Sequence, residues 1–368
     1  MKPHFLFTVC QRGAEQALKK ELARQWPDFR FAYSRPGFLT FKLPEDIELA
    51  DDFELLSVFA RTHGFSLGKV AGDTAEALAR SAWELVHDMA IDHLHVWQRD
   101  ADLPGERGFE PGLTPLAEEI GAIIAGQMPP EPARPSPLPV NRVARSGDRV
   151  LDCVLVEPNE WWVGYHRAAT MPSRWPGGTP KVEMPPDAVS RAYLKMEEAL
   201  LWSRLPVAAG DRCVEIGSAP GGSCQALLDC DLLVAGIDPA DMDEALTSDP
   251  NFTHIKARGA ALKRIEFRGV KWLMADSNVA PHRTLDTVED IVTNREVHIR
   301  GLLLTLKLPD WSLAESIPEY LERVRSWGYR YVNARQLAFN RHEFCIAALR
   351  SREQRRPPPR QRRRPRLP

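Results

Sequence analysis

The sequence has no run of 18 apolar residues, so no stretch of it reads as a membrane-crossing helix. It has little cysteine. The six residues Cys10, Cys153, Cys213, Cys224, Cys230 and Cys345 form no C-x-x-C pair and sit in no zinc-type pattern with histidine. That excludes a disulfide framework and a small zinc module, and points to reduced, mostly buried thiols in a reducing compartment. The opening MKPHFLFTVCQRGAEQ lacks the layout of a basic start, a long apolar stretch and a small-residue cleavage site. A cytoplasmic chain with no metal and no membrane contact is the expectation. The 368 residues are enough for two domains of ordinary size.

Net charge is also nearly lacking, at −2, but that figure hides a split. From Ser351 to Pro368 stand Arg352, Arg355, Arg356, Arg360, Arg362, Arg363, Arg364 and Arg366 against Glu353 alone, so this tail carries about +7 and the body about −9. Its proline and arginine content predicts disorder. A polycation on an acidic body suits a phosphate-rich partner, RNA above all, held by salt-sensitive contacts.

What is present centres on Cys213 to Gly222, CVEIGSAPGG. Cys213 to Ile216 has strand character, Gly217 to Gly222 forms a turn, and Ala226-Leu227-Leu228 continues as an apolar-periodic helix. Strand, glycine turn and helix open a doubly wound nucleotide-binding fold, in which the glycines let backbone approach a ligand. The G-x-G-x-x-G of dinucleotide enzymes is missing, and Pro220 removes one of the N–H groups that would cradle a phosphate. A phosphate-free nucleotide fits better. S-adenosylmethionine is the candidate, with Asp238, at the end of the second strand Leu232 to Ile237, accepting the ribose hydroxyls.

The N-terminal part reads as an α+β module: strand Phe5 to Val9, helix Ala14 to Trp26, strand Gly37 to Phe41, short elements at Phe53 to Ala60 and Phe65 to Val70, and helix Thr74 to Val86. A strand His93 to Trp97, a loop over Arg99 to Gly112 and a helix Leu116 to Gln127 follow. His93 and His95 share a strand face but have no third ligand, so they read as packing or surface residues. The proline-dense Met128 to Pro139 reads as a linker or surface excursion, and Arg149 to Tyr165 as a hairpin closing the module. Predicted boundaries are 1–166 for this module, 167–350 for the nucleotide fold and 351–368 for the tail.

In the second half an unstructured crossing, Arg167 to Pro186, precedes a helix from Arg191 to Trp202 with Ser190 as its N-cap. Strands are expected at Phe252 to Ile255, Val270 to Asp276 and Gly301 to Leu308, then a terminal hairpin of Tyr329 to Leu337 and Glu343 to Leu349. Seven strands ending in an antiparallel hairpin describe a Rossmann-like class I methyltransferase sheet rather than an oxidoreductase. Function gathers at the carboxyl ends of parallel strands. Asp276 and Lys307 stand at such ends, Glu343 begins the last strand, and Lys195 lies on the helix leading into the sheet. Converging, they suit removal of a proton from a sugar hydroxyl, with Lys307 as base, its pKa lowered by burial and the Lys195 ammonium, and Asp276 and Glu343 orienting the lysines.

These residues resemble the Lys-Asp-Lys-Glu tetrad of FtsJ-like ribose 2′-O-methyltransferases. More narrowly, the chain is similar to the bacterial 23S rRNA large-subunit methyltransferase M family. The resemblance runs through Trp175-Pro176, Gly178 and Pro180, Ser190-Arg191, Leu194 to Ala199, Ala219 to Gly222, Asp276 with Pro281, Leu306 to Pro309, Ala334 to Leu337 and Arg341 to Glu343. Cys10, Arg12-Gly13, Glu15 to Glu21 and Val58 to Arg61 resemble that family's start, which implies a THUMP-like RNA-binding module. The resemblance implies methylation of a cytidine 2′-OH in 23S rRNA, with Lys307 as general base supported by Lys195, Asp276 and Glu343. It also implies an S-adenosylmethionine pocket lined by Ser190, Gly217, Ala219, Pro220, Gly221, Gly222, Asp238 and Asp276. One position departs: where the family has an acidic residue for the adenine amino group this chain has Arg258, which accepts no hydrogen bond, so the grip would fall to backbone.

The alternative is a catalytically inactive RNA-binding protein that keeps the fold, favoured only by Arg258. A small-molecule or protein methyltransferase, or a nicotinamide oxidoreductase, gives no reason for the tetrad or the tail.

Overall fold

A computed structural model describes residues 3–46, 48–129 and 137–351. The arginine-rich tail beyond Ser351 and most of the proline-dense stretch, 130–136, lie outside the described residues. The chain divides into two compact units, Met1–Lys181 and Val182–Pro368.

The first unit is built on β1 (Phe5–Val9), α1 (Glu15–Gln25), β2 (Arg30–Arg35), β3 (Phe38–Lys42), β4 (Thr62–Ala71), α2 (Ala75–Glu84), β5 (His93–Gln98), α3 (Pro115–Gly126), β6 (Arg149–Glu157) and β7 (Glu160–Arg167). They form one seven-stranded sheet, β2-β3-β1-β4-β7-β6-β5, antiparallel except where β5 runs alongside β6. Both helices expected near its middle are capped as polar residues before apolar runs should be. The Thr74 and Thr114 side chains accept from the third residue on, at 3.2 and 3.1 Å.

Two stretches differ from expectation. Phe53 to Ala60 forms no regular element. Its backbone is held by side chains instead: buried Glu21 of α1 accepts from Val58 N at 2.8 Å and Phe59 N at 3.3 Å, and His63 accepts from Leu55 N at 3.1 Å. The crossing after β7 is not wholly unstructured either. It makes two short 3-10 turns, Pro172–Arg174 and Pro176–Gly178, that pack with the first unit. Gly178, at φ +71, leaves no room for a Cβ, which would lie 2.3 Å from Arg61 O. Contacts therefore carry the first unit to Lys181 rather than to residue 166.

His95 is fully buried, donates Nε2–H to Arg142 O at 2.9 Å, and burial holds its pKa down to about 4. His93 meets Asp148 at 2.9 Å. Among the described residues no group of His, Cys, Asp or Glu is arranged to hold a metal, and no helix is long and apolar enough to cross a membrane. All six cysteines are unbridged.

The second unit contains α4 (Ala192–Ser203), β8 (Arg212–Ile216), α5 (Gly222–Leu228), β9 (Leu233–Ile237), α6 (Glu244–Thr247), β10 (Phe252–Ile255), β11 (Trp272–Ala275), α7 (Pro281–Val292), β12 (Gly301–Lys307), α8 (Ile317–Ser326), β13 (Tyr331–Arg335) and β14 (Glu343–Leu349). Sheet order is β10-β9-β8-β11-β12-β14-β13. Five strands run parallel, and β14 enters antiparallel between β12 and β13. This is the seven-stranded mixed sheet with a terminal hairpin that the spacing predicts. The parallel strands are apolar on both faces, as a sheet covered by helices on each side requires. Ser190 is not the N-cap of α4. The helix begins a residue later, entered from Arg191, whose own side chain makes no cap, while Ser190 accepts from Ala192 N through Oγ at 3.4 Å and from Tyr193 N through its carbonyl at 3.1 Å.

Candidate active site

Sheet register assembles the site. Lys307, the last residue of β12, lies directly opposite Glu343, the first of β14. Asp276 follows β11, whose Ala275 pairs with Leu304 of β12, so its carboxylate reaches the same row. Lys195, four residues into α4, supplies the fourth group. Lys307 Nζ donates to Asp276 Oδ1 at 2.6 Å and to Glu343 Oε2. Lys195 Nζ donates to Asp276 Oδ2 and lies 3.2 Å from Glu343 Oε1. Each lysine thus touches both carboxylates, closing a ring of alternating basic and acidic side chains. The four side chains are 7–20% exposed. The residues come from positions up to 148 apart in the chain, and the structure brings all four together.

Burial, balanced against these contacts, sets the protonation. For Lys195 burial pulls the pKa down, but Asp276 and Glu343 outweigh it and hold the ammonium well above its ordinary range. For Asp276 burial pushes up, and Lys195 with Lys307 outweighs it, so the carboxylate stays ionised. Lys195 and Asp276 are therefore fixed charges. A further carboxyl, Glu215 in β8, is 1% exposed, and burial, only partly offset by the Cys224 hydrogen bond and by Lys195, pushes its pKa up to about 8. It accepts from Cys224 Sγ at 3.0 Å.

The glycine turn abuts this ring. Asp276 N donates to Ile216 O at 3.0 Å and Gly217 N to Ile237 O at 2.9 Å, so the turn is strung between the ends of β9 and β11. Gly217 has φ +80, and a Cβ there would lie 2.5 Å from Ser277 Oγ and 2.8 Å from Asp276 O. At Gly221 a Cβ would meet Leu246 at 2.8 Å, and at Gly222 it would meet Ser190 Oγ at 2.3 Å. These glycines answer to close approach by their own chain, where the sequence pattern suggested approach to a ligand. Ser190 is thereby set against the helix start at Gly222. Pro220, cis to Ala219, offers no N–H and accepts from Asp243 N at 3.0 Å. Asp238, half-buried after β9, accepts from Ala219 N at 3.2 Å and Ala240 N at 2.8 Å. Arg258 is exposed beyond β10.

Two site-shaping residues escape a sequence reading. Glu198, 1% exposed on α4, accepts from Ala338 N at 2.8 Å and Phe339 N at 3.0 Å, fixing the β13–β14 connection. Asn340, fully buried there, donates to Glu343 Oε1 at 3.2 Å and accepts from Leu337 N at 2.9 Å. The i, i+3 spacing of Lys195 and Glu198 on one helix face was the available signal for Glu198. Asn340 had none, because its partner comes from its own turn.

Residues 188–314, within the second unit, match the family model described as FtsJ-like methyltransferase. Ribosomal RNA large subunit methyltransferase M of Halorhodospira halophila is 34% identical over 188 residues, covering 50% of this chain and 53% of that one. The protein of the same name from Xanthomonas oryzae pv. oryzae is 25% identical over 366 residues, covering 94% of this chain and 99% of that one. The chain is thus similar, over part of its length at 34% identity and over nearly all of it at 25%, to proteins named ribosomal RNA large subunit methyltransferase M. The match spans about half the length of several curated relatives, 53%, 59% and 51% for those from Halorhodospira, Pseudoalteromonas and Thauera. Superposition on a solved structure, TrmN from Thermus thermophilus, is loose, with a TM-score of 0.36 at 13% identity over 94% of this chain and 99% of that one.

Proposed function

We propose that this protein is an S-adenosylmethionine-dependent RNA ribose 2′-O-methyltransferase acting on a cytidine of 23S rRNA. The observation that carries the reading is the closed ring of Lys195, Asp276, Lys307 and Glu343 against the glycine turn. The donor set fits the cofactor. Asp238 and Asp276 surround the turn with carboxylates, and Pro220 withholds an amide, an arrangement that repels a pyrophosphate and suits a sulfonium and a ribose. Ser190, Gly217, Ala219, Pro220, Gly221, Gly222, Asp238 and Asp276 would hold it, with adenine met by backbone beyond β10 rather than by Arg258.

When bound, S-adenosylmethionine supplies an electrophilic methyl group. The chain's share is to prepare the oxygen that receives it. Lys307 Nζ would be the group that accepts the ribose 2′-hydroxyl proton, leaving the oxygen to take the methyl group as the methyl–sulfur bond breaks and sulfur keeps that electron pair. Asp276 and Glu343 hold the Lys307 side chain in place from two sides, and the Lys195 ammonium keeps Asp276 ionised and orients both carboxylates. Asn340 and Glu198 act through Glu343 and its turn, as positioning residues.

The first unit is proposed as the THUMP-like RNA-binding module. In its support, a cavity of about 720 Å³ opens over the sheet, lined among others by Tyr33, Ser66, Lys69, Arg149 and Trp162. The Tyr33 and Trp162 ring centres are 5.1 Å apart, and Lys69 Nζ stands 5.6 and 5.8 Å from them. Trp162 is buried against the half-buried Tyr33 and Lys69 pairs with Glu160 at 2.9 Å, so the Tyr33 face is the aromatic surface available to stack an unpaired base.

Methyl transfer to unmodified 23S rRNA tests the proposal. Lys307→Ala should reduce the rate by about 10² or more while calorimetry finds S-adenosylmethionine still bound. Equal rates in the two proteins would remove Lys307 from the mechanism, and no transfer by the parent would leave an RNA-binding protein with this fold.

A further inference from the structure

The pole of the second sheet opposite the tetrad carries charge in a pattern that chain order hides. Arg212 opens β8, Lys271 and Arg300 stand immediately before β11 and β12, Arg350 follows the antiparallel β14, and Arg330 precedes β13. Backbone hydrogen bonds make these residues neighbours. Lys271 N donates to Arg212 O at 2.9 Å, Arg300 N to Lys271 O at 2.9 Å, and Arg350 N to Arg300 O at 3.1 Å. Tyr331 pairs with Leu349, which sets Arg330 opposite Arg350. Consecutive strand ends in the order β8, β11, β12, β14, β13 therefore present one cation each. With strands about 4.8 Å apart the row is about 19 Å long.

The side chains are braced, Lys271 by a carboxylate and Arg350 by carbonyls. Arg350 donates to the carbonyls of Ile299, Trp327 and Val292 at 2.9, 3.2 and 3.1 Å, and carbonyls are neutral. The Arg300 guanidinium lies 5.3 Å from the Trp272 ring centre. A cavity of about 440 Å³ beside the row is lined by Arg295, His298, Arg300, Arg350 and Ser351, among others. Two carboxylates stand nearby: Asp211 accepts from Lys271 Nζ and Trp272 Nε1 at 2.8 Å each, and Glu296 pairs with Arg268 at 2.6 Å. Beyond Ser351 the sequence adds eight arginines and a single Glu353.

We propose that this row is a track for the RNA phosphate backbone, separate from the reacting centre. The inference rests on the RNA reading above and extends it to a second surface. Evenly spaced cations, mostly arginines whose planar forks match phosphate oxygens, complement a polymer with one charge per repeat. The seven residues of β12 separate the row from Lys307 by about 20 Å, so the row acts on binding and not on the chemical step.

The test uses the full chain with the exposed residues reversed, R212E/R295E/R330E, and an unmodified 23S rRNA transcript titrated over a range of salt. RNA affinity should fall at least tenfold at low salt, and the slope of log affinity against log salt should shrink by about two, each phosphate contact contributing about 0.7 for single strands. S-adenosylmethionine affinity and the transfer rate at saturating RNA should match the parent. An unchanged RNA affinity and slope overturn the proposal. So does parent binding to phosphatidylserine vesicles that falls in step with RNA binding, which would make the row a lipid contact. If the reversals disturb S-adenosylmethionine binding, the milder R212Q/R330Q decides, with a slope change of about one expected. A parent that binds RNA through the row but transfers no methyl group sinks the enzymatic reading and leaves the row standing.

Discussion

Glu215, in β8, and Asp276, just after the adjacent β11, are both carboxyls largely removed from solvent, yet their pKa values move in opposite directions. Burial raises both, and two lysines at Asp276 reverse the effect there. Glu215 is therefore mostly protonated at neutral pH. Its folded pKa of about 8 lies above the unfolded value of 4.5. Its contribution to stability is full below pH 4.5 and is lost as pH rises to about 8, because only the unfolded chain ionises freely in that window. Glu215→Gln mimics the neutral form, so its stability relative to the parent should grow with pH across that window, on the order of 1 kcal/mol per unit. Urea unfolding at pH 5, 6 and 7 checks this, and a constant difference would show that Glu215 ionises normally. At this scale the four tetrad residues were legible, because a lysine in an apolar strand end is conspicuous. Glu198 and Asn340 were not, since Glu198 holds backbone amides about 140 residues away and Asn340 bonds within its own turn.

Among the elements, β4 and β7 show how glycine can be dictated by a neighbour. Gly64 and Gly164 bed the ring of Phe7 from β1: a Cβ on Gly64 would lie 2.7 Å from Phe7 Cε1, and one on Gly164 would lie 2.6 Å from it and 2.5 Å from Phe65 O. Gly164→Ala should destabilise the first unit by about 1–3 kcal/mol, since both ring and backbone must give way. A limited-proteolysis and thermal-unfolding comparison should register that loss, with S-adenosylmethionine affinity unchanged. Regular strands and helices followed from apolar period and capping residues. Phe53 to Ala60 did not, because a carboxylate from another element, Glu21, satisfies its amides, and no local pattern can announce that. The crossing around Trp175 likewise joins the first unit through contacts with Arg61 that only the fold creates.

For the molecule as a whole, charge is distributed unevenly: an acidic body, a basic row at one pole of the second sheet, and an arginine-rich segment after it. Removing residues 352–368 should weaken binding of 23S rRNA mainly at low salt and flatten its salt dependence, leaving methyl transfer at saturating RNA intact. Filter binding at several salt concentrations measures this, and an unchanged affinity and slope would make the segment a bystander. Each unit keeps a hydrophobic core of its own, one beneath α2 and α3 and one around β8, β11 and β12. Stability effects should therefore be separable between them.

By itself the sequence determined that a strand, a glycine turn and a helix open a parallel sheet, that the sheet ends in a hairpin, and that two lysines and two acids stand at strand and helix positions able to meet. Those are properties of short windows, where period, turn chemistry and an out-of-place charge leave a local trace. The tertiary structure alone decided that the tetrad closes into a ring, that Glu215 is neutral while Asp276 is charged, and that five basic residues from scattered positions share one edge. Register and burial are set by packing between distant segments, and a pKa depends on which charges packing brings within a few ångströms.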